Sequence, residues 1–215
     1  MTAIKVGASL LSANYGRLEE EIEKLEKAGV DFLSFDVMDG HFVDNISFGP
    51  AIVGSLRGVT KLPFEAHLMV EHPEKFVPAF VDAGCDMLTV HVEAARHPED
   101  LIASIRKDAR AGLAISPETP AERILPFTGV IDMALIMTVK PGFGGQRFID
   151  QSGKIRQVRA AVGKEGAAAD IGVDGGVNDR TAKVAVAAGA NVLVAGSFIT
   201  GQPDYRDAVR KLRGL

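Results

Sequence analysis

The chain has one cysteine, no tryptophan and only 6% aromatic residues in 215. A lone thiol, Cys85, can form neither an intramolecular disulfide nor a thiolate metal cluster, which points to a reducing compartment. No apolar run approaches the ~20 residues that span a bilayer. The opening Met1-Thr-Ala-Ile-Lys-Val6 lacks the basic-then-apolar layout of a secretory signal. Positive charge is also scarce: 24 Lys+Arg face 28 Asp+Glu, a net charge of −4, where a nucleic-acid binder usually shows a clustered basic surface. These absences predict a cytoplasmic, soluble protein with no membrane and no nucleic-acid partner.

What the chain does have is apolar material, 47% of its residues, together with 23 Gly and 10 Pro. That is enough to bury a core without disulfides or a structural metal. Short β-branched or apolar runs fall at 5–10, 31–37, 63–70, 86–91, 111–115, 131–139, 170–173 and 191–195. Helix-like segments alternate with them at 18–28, 48–56, 73–83, 98–110, 121–127, 150–162, 179–188 and 204–212. Gly29, Gly84 and Gly189 follow helix ends, where glycine supplies a left-handed cap. The recurring Ala-Gly phrase marks a repeated βα unit.

Strict alternation implies a parallel sheet with right-handed crossovers. Eight units in this length predict an α/β fold, a single (β/α)8 TIM barrel over residues 1–215. An open doubly wound sheet would carry a Gly-rich turn after its first strand, and Ser9-Leu-Leu-Ser-Ala-Asn14 is not one.

A barrel places its chemistry where the strands end. The polar residues there are Ser9, Ser12 and Asn14; Ser34, Asp36 and Asp39; His67; His91 and Glu93; and Asp174. Alternation puts Ser34, Asp36 and Met38 on one face, and Glu65, His67 and Met69 on another. An inward carboxylate is costly unless paired or metal-bound. Asp36 and Asp174, from strands two and seven, suit a two-base proton transfer across a pocket. Gly142-Phe143-Gly144-Gly145, Gly175-Gly176 and Gly196-Ser197 converge on one rim as a candidate phosphate cradle. His91 reads as a structural histidine, and Cys85 as buried filler rather than a nucleophile.

Ser9-Leu-Leu-Ser-Ala-Asn14, Asp36-Val-Met-Asp-Gly-His-Phe-Val43, His67-Leu-Met-Val70, Met137-Thr-Val-Lys-Pro-Gly-Phe-Gly-Gly-Gln146 and Val173-Asp-Gly-Gly-Val177 closely resemble the ribulose-phosphate 3-epimerase family, in order and over the whole length. The resemblance implies a ribulose-phosphate-binding barrel that inverts C3 of D-ribulose 5-phosphate to give D-xylulose 5-phosphate. By family matching, Asp36 and Asp174 are the two acid/base residues of a reaction through a 2,3-enediolate. Ser9 and His67 contact substrate, Met38, Met69 and Met137 line the pocket, and Gly142–Gly145, Gly175, Gly176, Gly196 and Ser197 hold the phosphate. One divalent metal is implied, commonly zinc, with iron, manganese or cobalt as alternatives, together with a homo-oligomeric state, dimer or hexamer.

One departure stands out. The family's metal site uses two histidines and two aspartates, and the first histidine's position holds Ser34 here, leaving Asp36, His67 and Asp174. Three readings follow: a three-ligand metal site; a metal-free site in which Ser34, His67 and Ser9 hydrogen-bond the enediolate; or a low-turnover sugar-phosphate binder. A 3-epimerase of a related ketose phosphate, such as allulose 6-phosphate, is the alternative activity. Lys140, where the family usually has an acidic or amide residue, either adds charge near the phosphate or lies in solvent.

Overall fold

The computed structural model describes residues 3–164 and 168–214. Eight parallel strands close into a barrel in sequence order. They are β1 (Lys5–Ser9), β2 (Phe32–Met38), β3 (Phe64–Met69), β4 (Met87–His91), β5 (Arg110–Ile115), β6 (Met133–Met137), β7 (Asp170–Asp174) and β8 (Val192–Ala195). Outside them lie α1 (Leu18–Ala28), α2 (Pro50–Leu56), α3 (Val77–Asp82), α4 (Pro98–Ile105), α5 (Ser152–Lys164), α6 (Thr181–Ala188), α7 (Ser197–Thr200) and α8 (Tyr205–Leu212).

The strand alternation sorts two cores. Outward side chains such as Val6, Leu33, Phe35, Leu88, Leu113 and Ile136 pack with helix residues in a continuous apolar sheath. Ile22 and Leu25 from α1 enter it fully buried, at roughly 1.5–3 kcal/mol for each side chain withdrawn from water. The helix stops at Gly29, whose φ of 82° is left-handed; Gly84 and Gly189 do the same at 87° and 116°. Inward, Phe32, Met87, Met133, Leu135 and Val192 form a separate apolar plug in the lower half of the barrel. Gly7 makes room for it: a Cβ there would stand 2.3 Å from the Phe32 ring.

Several sequence expectations shift, among them the segment 73–83, which divides into a 3-10 turn, Pro73–Lys75, and α3. Segment 121–127 is not an α-helix but two 3-10 turns, Ala121–Arg123 and Leu125–Phe127. Pro126 removes a helix-ladder donor inside it. The helix expected over 98–110 ends at Ile105, and Arg110 already opens β5. The run at 131–139 shortens to Met133–Met137. α7, one turn long, begins at Ser197 directly after Gly196.

Candidate active site

Asp36 and His67 meet because register pairs β2 with β3 at those two residues. Asp174 ends β7, three strands from β2 by way of β1 and β8. It is therefore across the barrel mouth, though not diametrically opposite. His67 Nδ1 lies 2.9 Å from Asp36 Oδ1 and 3.6 Å from Asp174 Oδ2. One ligand atom from each of the three falls within 4.8 Å of the others. Ser9 Oγ donates to the second oxygen of Asp36 at 2.6 Å, fixing the carboxylate plane.

Burial alone would strip a proton from His67, but hydrogen bonds to Asp174 and Asp36 and their charge outweigh it and raise its pKa to about 10. Asp174 is pushed up, first by burial and then by the Asp36 charge. Two carboxylates around one imidazole nitrogen call for a cation there, a proton or a metal. In the metal-free protein the proton serves, with a definite pH signature. The unfolded imidazole titrates near 6.5, so this stabilisation is complete below pH 6.5, fades from 6.5 to about 10, and is gone above. Thermal melts of metal-free protein should fall steadily across that window, by about 2–4 °C per kcal/mol for a chain of this size. A flat profile would mean that His67 does not carry the extra proton.

Above the triad opens a cavity of about 330 Å³, suited to a small polar ligand. Ser9, Asp36, Met38, Met69, Met137 and Asp174 line its floor and walls, and Gly142, Phe143, Gly144, Gly145, Gly175, Gly176, Gly196 and Ser197 its rim. His67 does not line it. With no exposed surface, His67 sits behind the two aspartates, placed to hold them or a cation between them rather than to contact a sugar in the cavity. Gly176 is required: its φ is 64°, and a Cβ would stand 2.6 Å from the backbone nitrogen of Phe148. Lys140 is exposed and outside the lining, which favours the solvent reading.

Several supports were not read from the sequence. Thr138 Oγ1 donates to the carbonyls of Asp174 (2.9 Å) and Gly175 (2.6 Å), clamping the end of β7. Ser47 Oγ donates to the Asp36 carbonyl and does the same for β2. Gln146 Nε2 donates to the carbonyls of Lys140 and Phe143, pinning the glycine loop, and Asn45 Nδ2 donates to the Gly142 carbonyl. Asp39 is a turn cap: its carboxylate accepts the N–H groups of His41, Phe42 and Glu71. Cys85 is buried, and burial and the nearby Asp86 push its thiol up to about 12, as suits an inert side chain.

The sequence profile of the Ribulose-phosphate 3 epimerase family matches residues 5–200. The chain belongs to this family. A ribulose-phosphate 3-epimerase of Bacillus subtilis is 46% identical over 214 residues, covering 98% of this chain and 99% of the relative. The one from Methanocaldococcus jannaschii is 47% identical over 98% of this chain and 90% of its own length, and that of Escherichia coli K12 40% over 97% and 94%. The chain is thus an enzyme, an epimerase of the isomerase class. Among solved structures, a 3-hexulose-6-phosphate synthase from Salmonella typhimurium superposes with a TM-score of 0.71 at 20% identity, over 98% of this chain and 97% of that one. KGPDC from Streptococcus mutans reaches 0.72 at 14%, over 98% and 96%. These distant likenesses establish the barrel alone.

For an epimerase of this family, the decisive local question is Ser34. Its side chain is 1% exposed and does not line the cavity. That removes it from the hydrogen-bonding role toward an enediolate allowed by the sequence. Its Oγ faces the buried carboxyl of Glu65, its register neighbour on β3, and as a side-chain hydrogen-bond partner pulls the Glu65 pKa down against the larger rise from burial. Oε1 of Glu65 accepts Thr89 Oγ1 at 2.6 Å. With Ser34 turned to Glu65, the donors left at the cavity floor are Asp36, His67 and Asp174, a set that suits a divalent cation with an open coordination position.

Proposed function

We propose that this chain interconverts D-ribulose 5-phosphate and D-xylulose 5-phosphate by inverting C3. The observation that carries the reading is Asp36 and Asp174, brought together from two sides of one cavity floor beneath a rim of glycine loops. One carboxylate removes the C3 proton. The electron pair moves toward the C2 carbonyl oxygen, giving a 2,3-enediolate, and the other carboxyl group returns a proton to the opposite face.

Asp174 would return the proton to the opposite face, while Ser9 orients Asp36 for abstraction. The glycine rim would seat the phosphate against backbone N–H groups, supported by the positive φ at Gly142, Gly145, Gly175 and Gly176. Met38, Met69 and Met137 give the walls an apolar, adaptable lining. A divalent cation held by Asp36, His67 and Asp174, zinc in this reading, would supply Lewis-acid stabilisation of the enediolate oxygens. We further take residues 1–215 as one domain of a cytoplasmic homo-oligomer, in keeping with the family.

The test is proton NMR of D-ribulose 5-phosphate in deuterated water with zinc-loaded protein. The C3 proton signal should disappear as xylulose 5-phosphate accumulates. A C3 proton that never exchanges overturns the pentulose-phosphate assignment.

A further inference from the structure

Behind the cavity floor, a hydrogen-bonded line leads away from the metal-ligand set. His67 Nε2 stands 3.0 Å from Nε2 of His91, and the two rings meet edge to edge with their planes 17° from parallel. His91 Nδ1 stands 3.2 Å from Glu93 Oε2, and the other oxygen of Glu93 accepts the Ser116 N–H at 2.8 Å. Both imidazoles are fully buried. Two imidazole nitrogens at this distance can share only one hydrogen, so one donates and the other accepts.

We propose that Glu93 is a positioning residue for the metal-ligand atom: acting through His91, it fixes the tautomer of His67 that leaves Nδ1 bare toward Asp36 and Asp174. A carboxylate only accepts, so it places the hydrogen of His91 on Nδ1. The bare Nε2 of His91 then takes the hydrogen of His67 Nε2. The remaining nitrogen of His67, Nδ1, is the one that faces both aspartates. Metal-binding histidines commonly have their second nitrogen tied to a carboxylate; here a second imidazole is interposed, and the instruction passes one residue further. The inference rests on the reading that Asp36, His67 and Asp174 hold a divalent cation.

The isosteric change Glu93→Gln reverses every step. The Ser116 N–H is a fixed donor and takes the amide oxygen, so the NH2 group faces His91. The hydrogen of His91 then moves to Nε2, and that of His67 to Nδ1, the ligand position.

Long-range proton–nitrogen NMR of histidine-labelled, zinc-loaded wild type should show His91 protonated on Nδ1 and His67 on Nε2. In E93Q the His91 pattern should invert, and zinc affinity, measured against a competing chelator, should fall about 10–100-fold. Zinc uptake by a wild type whose His91 carries its hydrogen on Nε2 overturns the relay, as does a folded E93Q with unchanged affinity. If E93Q does not fold, the wild-type spectrum decides alone. A wild type that takes up no zinc overturns the metal site itself, and the relay with it.

Discussion

Asp174→Asn at saturating zinc should lower epimerisation about 10²–10⁴-fold, the usual contribution of a positioned acid or base. The amide keeps the shape and the backbone clamps from Thr138, so the fold should survive and the loss should fall on kcat. What it removes is the carboxyl group that would return a proton to the opposite face of the enediolate. Asp36, still oriented by Ser9 at 2.6 Å, keeps its capacity to abstract. The variant should therefore exchange the C3 proton of ribulose 5-phosphate with deuterated solvent while forming almost no xylulose 5-phosphate. Retention of more than about a tenth of wild-type epimerisation, a barrier change under 1.4 kcal/mol, would show that Asp174 is not one of the two acid/base groups.

Removal of divalent metal should cost turnover about 10²–10³-fold, the scale of losing one preorganised electrostatic contact to a developing oxyanion. Zinc should restore it. Ser34→His provides the internal control, because it places an imidazole on β2 two residues before Asp36, on the same strand face. Zinc should bind the variant at least tenfold more tightly, about 1.4 kcal/mol. Turnover indifferent to both chelator and zinc would move enediolate stabilisation onto protein hydrogen bonds. An unchanged zinc affinity in S34H would show that position 34 is not the missing ligand's place.

The barrel was legible because its signal is periodic. Alternating apolar runs and amphipathic segments repeat eight times, and the parity of β2 and β3 places Asp36 and His67 inward with no coordinates at all. Boundaries were less legible where local rules compete. Pro126 turns segment 121–127 into 3-10 geometry, and the stretch after Ile105 unwinds into a turn that hands Arg110 to β5. The cavity rim was readable from glycine pairs at strand ends. The inner supports were not: the Thr138 and Ser47 clamps depend on how loops fold back over the strand ends. The contact between His67 and His91 likewise depends on two ring orientations across neighbouring strands. His91 looked like an ordinary core histidine because, with both nitrogens engaged inside the protein, it is satisfied.

The plug of Phe32, Met133 and Leu135 has a kinetic consequence. It forms a floor between the catalytic cavity and a second pocket at the opposite end of the barrel, lined by Phe32, Met87, Met133 and Val192, so a sugar phosphate would reach the aspartates past the glycine rim. With Asp36 and Asp174 at the cavity floor, a sugar seated above them would lie between a bound cation and the rim and would shield the aspartates from bulk water. Substrate should thus slow the exchange of bound metal, and the proton lifted from one face has little company in the chamber until the other face is filled.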